Sequence, residues 1–401
     1  MTAPLSRRAA CQRMMATAGW AALAFCRSGP AVAASEASFA AFLQTLWPLA
    51  EAKGVHRTTF DSVVAGLELD ASLPKNSGGQ PEFDKPLQAY FKEAVSAGRI
   101  AQGRQAAGVL SALEARYGVP GEILLAAWAM ESDFGRSRGN RDIIRSLATQ
   151  AFTRPERPLF RDELVEALLL LDQGQVDRIR MTGSWAGAMG DPQFMPSAFR
   201  KYAVSASGNG APDIWTNPSD ILASIANFLK SSGWQQDRPW AKEVVLPRGF
   251  DIPTLHASAA DWAGFGVRPA TGALPSNGDA ALFLPSGAAG PAFLLFENYW
   301  IIKQYNNSDS YALSLGALAQ RIAGAPPLSG TWPQQPANLS RVDKSYVQAR
   351  LIALGLYQGT ADGKFGPTSR DAIHAYQKRL GISPADGFAT PALVKLLRSG
   401  A

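Results

Sequence analysis

Residues 124–136, LLAAWAMESDFGR, carry an acid, Glu131, to the end of an apolar run. A solvated helix end would be the ordinary explanation, since buried carboxylates are rare and need a partner or a proton. Here, however, the chain is apolar on every helical face from Ile123 to Met130, which predicts a central helix. Glu131 falls in its last turns, where desolvation and the negative end of the helix dipole both favour the protonated form. A carboxylic acid that keeps its proton in a partly dry cleft suits glycosidic cleavage, because the leaving oxygen must be protonated as the bond breaks.

Two further stretches could serve such chemistry. GSWAGAMGDPQFMPSAF, 183–199, is a glycine-rich, proline-punctuated turn region that can bring backbone and the Gln193 amide close to a ligand. It lacks the Gly-Lys-Ser/Thr of a phosphate loop, and plain turn chemistry is the competing reading. YNNSDSYA, 305–312, directly precedes a helical pattern, where Asn and Ser are favoured caps. Its two tyrosines (Tyr305, Tyr311) and two asparagines, Asn306 among them, could also stack on and hydrogen-bond a sugar.

Other chemistries find little support. Both cysteines, Cys11 and Cys26, lie in the first 33 residues, and the three histidines (His56, His256, His374) are far apart. Thiol and histidine–zinc sites are therefore not expected. The formal charge of +6 owes four arginines to residues 1–33, leaving 35 basic against 33 acidic side chains beyond them. With no Lys/Arg block in the remainder, no nucleic-acid partner is expected.

The first 33 residues read as a leader. Arg7, Arg8 and Arg13 precede the apolar MMATAGWAALAF, and Ala31-Val32-Ala33 matches a small-residue cleavage pattern. This predicts export to a periplasm; Phe25 before Cys26 argues against a lipid anchor there. From about Phe39 to Gly324 the spacing is mainly helical, with helices over 158–172 and from Pro218 to about Gly233. Residues 244–303 instead suggest short strands, at ALFLP and AFLLF, among irregular loops. GAPPLSGTWPQQPAN, 324–338, is an uncharged Pro-rich linker. Residues 339–401 form a small unit with a weak internal repeat, each half bearing an Asp-Gly turn, an aromatic and a capping Thr (Thr368, Thr390) before a helix.

Taken together, AMESDFGR, SWAGAMGDPQFMPS and NYWIIKQYNNSDSYALSLGALAQRI resemble the membrane-bound lytic transglycosylase B family, over roughly 39–323. VQARLIALGLY, ADGKFGPTSRDAIHAYQ and ADGFAT resemble a three-helix peptidoglycan-binding domain. The resemblance implies a mainly α chain: a leader (1–33), a lysozyme-like α+β catalytic domain with a small β-containing insertion (34–323), the linker (324–338) and the binding domain (339–401). It implies Glu131 as the single catalytic acid/base, with Ser184, Gln193, Tyr305, Asn306 and Tyr311 contacting substrate. It also implies peptidoglycan glycan strands as the partner, a monomer without cofactor, and cell-wall synthesis or remodelling proteins as further partners.

The family also carries an EF-hand-like calcium loop. In the corresponding VSASGNGAPDIWTNP, Ser205, Asn209 and Thr216 stand where the family has carboxylates, leaving Asp213 as the nearest acid. Calcium prefers several charged oxygens, so no metal is expected. Two rival functions differ in readable ways. A lysozyme-like hydrolase would use Asp191 as a second carboxylate and yield products heavier by one water, whereas a non-catalytic wall-binding protein would lack Glu131 or the glycine-rich loop.

Overall fold

The computed structural model describes residues 30–74, 82, 85–106, 110–334 and 339–400. The leader up to residue 29, with Cys11 and Cys26, lies outside the described residues, as do 335–338 of the linker. Among the described residues no helix is long and apolar enough to cross a membrane. The described chain divides into two compact units, and one helix, α7 (Gly121–Ser132), passes from the second into the first at Ala127.

The first unit is helical: α1 (Pro30–Thr45), α2 (Trp47–Ala52), α3 (Arg57–Val64), α6 (Leu110–Tyr117), the end of α7, α8 (Ile143–Thr153), α9 (Pro158–Asp172), α10 (Pro196–Tyr202) and α11 (Pro218–Ser231). Proline at the first position starts α9, where a missing N–H costs nothing. The helix then buries Leu164, Leu168 and Leu170 in a core that it shares with Ile144, Leu147 and Ala151 of α8. Each such side chain contributes on the order of 1.5–3 kcal/mol by leaving water. Phe39 and Phe42 of α1 cap this pair, their rings each 5.4 Å from Phe152. Two residues, β1 (Arg141–Asp142), pair antiparallel with β2 (Thr182–Gly183). That short ladder ties the start of α8 to the glycine-rich loop.

The second unit holds α4 (Leu87–Ala94), α5 (Ala97–Gln105), an antiparallel sheet, and the remaining helices. The strands are β3 (Ala241–Val245), β4 (His256–Ser258), β5 (Arg268–Pro269), β6 (Asp279–Phe283) and β7 (Ala292–Leu295), in the order β4-β6-β7-β3-β5. β6 and β7 fall where the apolar runs ALFLP and AFLLF predicted strands. The sheet and α12 (Ala259–Gly264) enclose Trp262, Leu282 and Leu294, and the Trp262 indole donates to the Ala280 carbonyl at 3.1 Å. Helices α13 (Glu297–Gln304) and α14 (Asp309–Ile322) pack on each other, and α14 also packs on α4 and α5.

Three helices complete the chain, α15 (Arg341–Ala353), α16 (Pro367–Arg379) and α17 (Pro391–Ser399), around Val347, Leu351, Ile373, Tyr376 and Leu393. The sequence repeat has a physical basis in two buried glutamines. Gln348 donates to Asp362 and accepts from the Gly363 N–H at 2.7 Å; Gln377 donates to Asp386 and accepts from the Gly387 N–H at 2.7 Å. Each helix thus clamps one Asp-Gly turn. Thr390 caps α17 as expected, accepting from Leu393 N–H. Thr368 does not cap α16: the helix starts one residue earlier, at Pro367, with Gly366 in the cap position.

The three-helix bundle is fastened by more than its linker. Arg370 of α16 pairs with Asp309 at 2.6 Å, His374 meets the Ile252 carbonyl at 3.1 Å, and Asp386 accepts from Ala288 N–H at 3.0 Å. The linker itself is pinned where Ser329 and Gly330 donate to the Glu243 carboxylate on β3. Asp309 also accepts from Lys303 at 2.7 Å and from the Tyr299 hydroxyl at 2.8 Å. Burial alone would raise its pKa, yet Arg370 and Lys303 hold it well below the usual carboxylate value, while burial and the nearby Asp309 push Tyr299 up.

Asp309→Asn should therefore destabilise the chain by about 3 kcal/mol, because two buried cations lose their carboxylate. Since the folded-state pKa is depressed, the wild-type advantage is complete above the unfolded value of 3.8 and is lost as pH falls below it. Urea titrations at pH 7, 5 and 3 check this: the gap should match at the first two and narrow at the third.

Candidate active site

α7 presents a wholly buried barrel from Ile123 to Ala129, then surfaces: Glu131 is half-buried, the next-to-last residue of the helix. The chain leaves through a turn that few sequences tolerate. Asp133, Phe134 and Gly135 all take positive φ (53°, 54° and 84°), a conformation that costs a bulky residue such as Phe on the order of 1–3 kcal/mol. Three contacts hold it. The Ser132 hydroxyl accepts from Gly135 N–H at 3.0 Å, Ser137 N–H donates to the Ser132 carbonyl at 2.7 Å, and the Phe134 ring sits edge-on to Trp128 at 5.5 Å. Such strain persists only where the surroundings over-determine it, and it marks the residue that the turn follows.

What over-determines it is a carboxylate. Asp191 is 1% exposed; its Oδ2 accepts from the Trp128 indole at 2.7 Å and its Oδ1 pairs with Arg138 Nε at 2.7 Å. Its backbone N–H donates to the Ile214 carbonyl at 2.8 Å. Arg138 also donates to the Gly135 carbonyl at 3.2 Å. A Cβ on Gly135 would lie 2.6 Å from Asp191 Oδ2, so glycine is required there by both conformation and space. Trp128 stands one turn before Glu131 on the same face, so this hub fixes the end of α7, the turn and the glycine-rich loop together. Asp191 is thus a buried strut. It is not the second, substrate-facing carboxylate that the hydrolase reading required. The other acid beside Glu131, Asp133, pairs with Arg136 at 3.0 Å.

The loop from 183 folds back twice. Ser184 N–H donates to the Ala188 carbonyl at 2.7 Å, the Ser184 hydroxyl accepts from Ala188 N–H at 3.0 Å, and Met189 pairs with Phe194. A Cβ on Gly183 would lie 1.9 Å from the Ala188 carbonyl oxygen, which explains the glycine at that step. Gln193, at φ 58°, turns its amide N–H₂ to the carbonyls of Gly190 (2.5 Å) and Arg138 (3.1 Å). Both partners only accept, so the orientation of this amide is fixed by chemistry. Ser184 and Gln193 thus shape the loop, and Gln193 ties it to the strained turn.

The closing motif belongs to the second unit. Tyr305 and Asn306 are half-buried, whereas Tyr311 is 1% exposed and stacks beneath Tyr305, ring centroids 6.3 Å apart. The Tyr311 ring thus packs against that of Tyr305. Ser308 caps α14, accepting from Tyr311 N–H. Trp128 and Arg138 were not singled out by sequence. The available signals were an indole one turn before the acid and an arginine just after a glycine-ended helix.

Residues 38–320 match the family described as transglycosylase SLT domain, and residues 343–397 match a putative peptidoglycan binding domain. The chain belongs to the transglycosylase SLT domain family. It is 35% identical over 214 residues to membrane-bound lytic murein transglycosylase B of Escherichia coli, a match spanning 52% of this chain and 58% of that relative. SltB3 from Pseudomonas aeruginosa, in complex with NAG-anhNAM-pentapeptide, is similar at 41% identity and TM-score 0.80, over 90% of this chain and 99% of that one. Escherichia coli Slt35, solved with calcium, is 28% identical with TM-score 0.59, over 71% of this chain and 92% of its own.

Within this SLT family member, the loop corresponding to the expected calcium site does not fit the ion. Asp213 already accepts from Trp215 N–H at 2.9 Å, from Thr216 N–H at 3.0 Å and from the Thr216 hydroxyl, and Arg180 pairs with it. Although burial works the other way, these donors lower its pKa to about 2. Asp220 is likewise taken by the N–H groups of Ala206 and Asp213, each at 2.8 Å. Among the described residues, no three His, Cys, Asp or Glu side chains gather as a metal site. The guanidinium of Arg180 supplies the positive charge to Asp213.

Trp128→Phe removes one donor from a buried carboxylate while keeping most of the packing. It should cost about 2 kcal/mol in chemical denaturation. Equal stability of the two proteins would show that the indole–Asp191 bond is not part of what holds the turn.

Proposed function

We propose that this chain is a lytic transglycosylase that cleaves the β-1,4 bond between N-acetylmuramic acid and N-acetylglucosamine in peptidoglycan, with Glu131 as its only catalytic carboxylate. The observation that carries this reading is the division of labour among the acids. Glu131 stands half-buried at the end of a buried helix, just before a strained turn, and Asp191, the second acid that a hydrolase would need, is 1% exposed and paired with Arg138. A two-carboxylate hydrolysis needs a second acid open to substrate, and the nearest candidate is spent on the scaffold. The relatives' names point to the same reaction class.

In this scheme the Glu131 carboxylic acid protonates the glycosidic oxygen as the bond to muramic C1 breaks. The resulting carboxylate then takes the proton of the muramic C6 hydroxyl while that oxygen bonds to C1. The acid is regenerated, a 1,6-anhydromuramoyl end forms, and no water is consumed. We assign Tyr305 and Asn306 to sugar contact, Ser184 and Gln193 to shaping the loop that faces the substrate, and Tyr311 to supporting Tyr305. The leader read from 1–33 would deliver a monomer to the periplasm, where proteins of cell-wall synthesis and remodelling are its natural company.

Digestion of purified sacculi followed by mass spectrometry tests this. The wild type should release anhydro ends alone, each lighter by one water than a hydrolytic product, and Glu131→Gln should fold normally yet lower turnover at least about a thousandfold. Reducing ends from the wild type would assign the chain to hydrolysis, and normal turnover by the variant would remove Glu131 from the role.

A further inference from the structure

Residues 305–308 connect α13 to α14 and include Tyr305 and Asn306. Backbone bonds hold the start of this turn to α13. Tyr305 N–H donates to the Ile302 carbonyl at 3.1 Å, and Asn306 and Asn307 N–H donate to the Lys303 carbonyl at 3.3 and 2.6 Å. Asn307 takes φ 38°, in the left-handed region that asparagine tolerates better than most residues. The far end of the turn depends on side chains. Ser308 caps α14, and Asp309, the first residue of that helix, accepts from Lys303 at 2.7 Å. Lys303 thus receives the turn on its carbonyl and reaches the start of α14 with its ammonium, stapling the two ends of 305–308.

A lysine is a flexible point charge and orients a carboxylate poorly by itself. Here the orientation comes from outside the two helices. Asp309 Oδ1 accepts from Lys303 and from the Tyr299 hydroxyl, while its Oδ2 accepts from Arg370 Nη1 at 2.6 Å. The side chains of Lys303, Asp309 and Arg370 are only 13%, 12% and 14% exposed, so water and salt screen them little. The Arg370 guanidinium is itself held over the Phe283 ring of β6, 4.7 Å from its centroid. Removing Arg370 takes the charged partner from one oxygen of a buried carboxylate, which then reorients toward its remaining donors. The α14 end of the turn moves with it.

We propose that Arg370, which the C-terminal bundle contributes, is a positioning residue for the cleavage reaction: through Asp309 it fixes the turn that carries Tyr305 and Asn306. The inference rests on the assignment of those two residues to sugar contact. It gives the bundle a part in shaping the substrate-contacting turn, in addition to whatever it binds itself.

The test uses the full-length protein, below its melting temperature, with two readouts. In Arg370→Gln, hydrogen–deuterium exchange at the amides of Asn306 and Asn307 should quicken at least about tenfold more than at those of β6 and β7, whereas a loss of global stability quickens both alike. On a soluble peptidoglycan tetrasaccharide, KM should rise about tenfold, because misplaced sugar contacts weaken binding, while a partly unfolded sample lowers kcat alone. Arg370→Lys, which keeps the charge, should recover most of both effects. Asp371→Asn removes a different contact of α16, the exposed pair with His256, and should produce neither. Tyr305→Ala should raise KM by itself. Equal quickening of turn and sheet, an unchanged KM in Arg370→Gln, or the same changes in Asp371→Asn would overturn the proposal. An unchanged KM in Tyr305→Ala would instead withdraw the sugar-contact assignment beneath it. A wild type that leaves the tetrasaccharide whole would sink the proposed reaction, and exchange would still decide the positioning.

Discussion

A single buried carboxylate, Asp191, organises the candidate active site. Burying an ion costs several kcal/mol unless strong, well-aimed partners replace its water, and once replaced, removing any partner is costly. Here the partners are the Trp128 indole and the Arg138 guanidinium, drawn from the two sides of the turn that follows Glu131. The cost of leaving Asp191 unpaired is what holds Phe134 and Asp133 at positive φ against their own preference. Position and strain of the acid-bearing helix end are thus set by electrostatics, while the apolar run behind it supplies only the depth.

The second unit applies the same device elsewhere. Asp309 gathers Lys303, Arg370 and Tyr299, and in doing so fastens a three-helix bundle that is too small to have much core of its own. The two buried glutamines, Gln348 and Gln377, do the corresponding work inside the bundle by closing its Asp-Gly turns. In each case a polar group is buried because it holds together segments that hydrophobic packing alone would leave free to slide. The loop at 204–217 follows the pattern too: Arg180 and local N–H groups satisfy Asp213, which leaves no set of acids to hold calcium.

Much of this was legible in sequence. The helical spacing, the strands at the apolar runs ALFLP and AFLLF and the repeated Asp-Gly turns of the C-terminal unit follow from periodicity and turn residues, which are local properties, whereas the three-helix form of that unit and the candidate acid came from motifs that resemble known families. The partners of Asp191 were not, because Trp128 and Arg138 lie 63 and 53 positions away and nothing local distinguishes a paired Asp from a catalytic one. The ring contact between Tyr311 and Tyr305 is likewise a matter of packing that the motif itself does not spell out. The bundle's docking was hidden for a different reason: a proline-rich linker describes the tether and says nothing of Arg370, His374 or Asp386.

The claim that Glu131 reacts while Asp191 positions is tested most directly by the pH dependence of turnover in Asp191→Asn, measured below its melting temperature. The account predicts reduced turnover, products that remain anhydro throughout, and an acid limb at the same pH as in the wild type, because the reacting group is still Glu131. An ionisation limb that disappears with the substitution, or a loss as deep as that from removing the acid itself, would make Asp191 a reacting group and contradict the account.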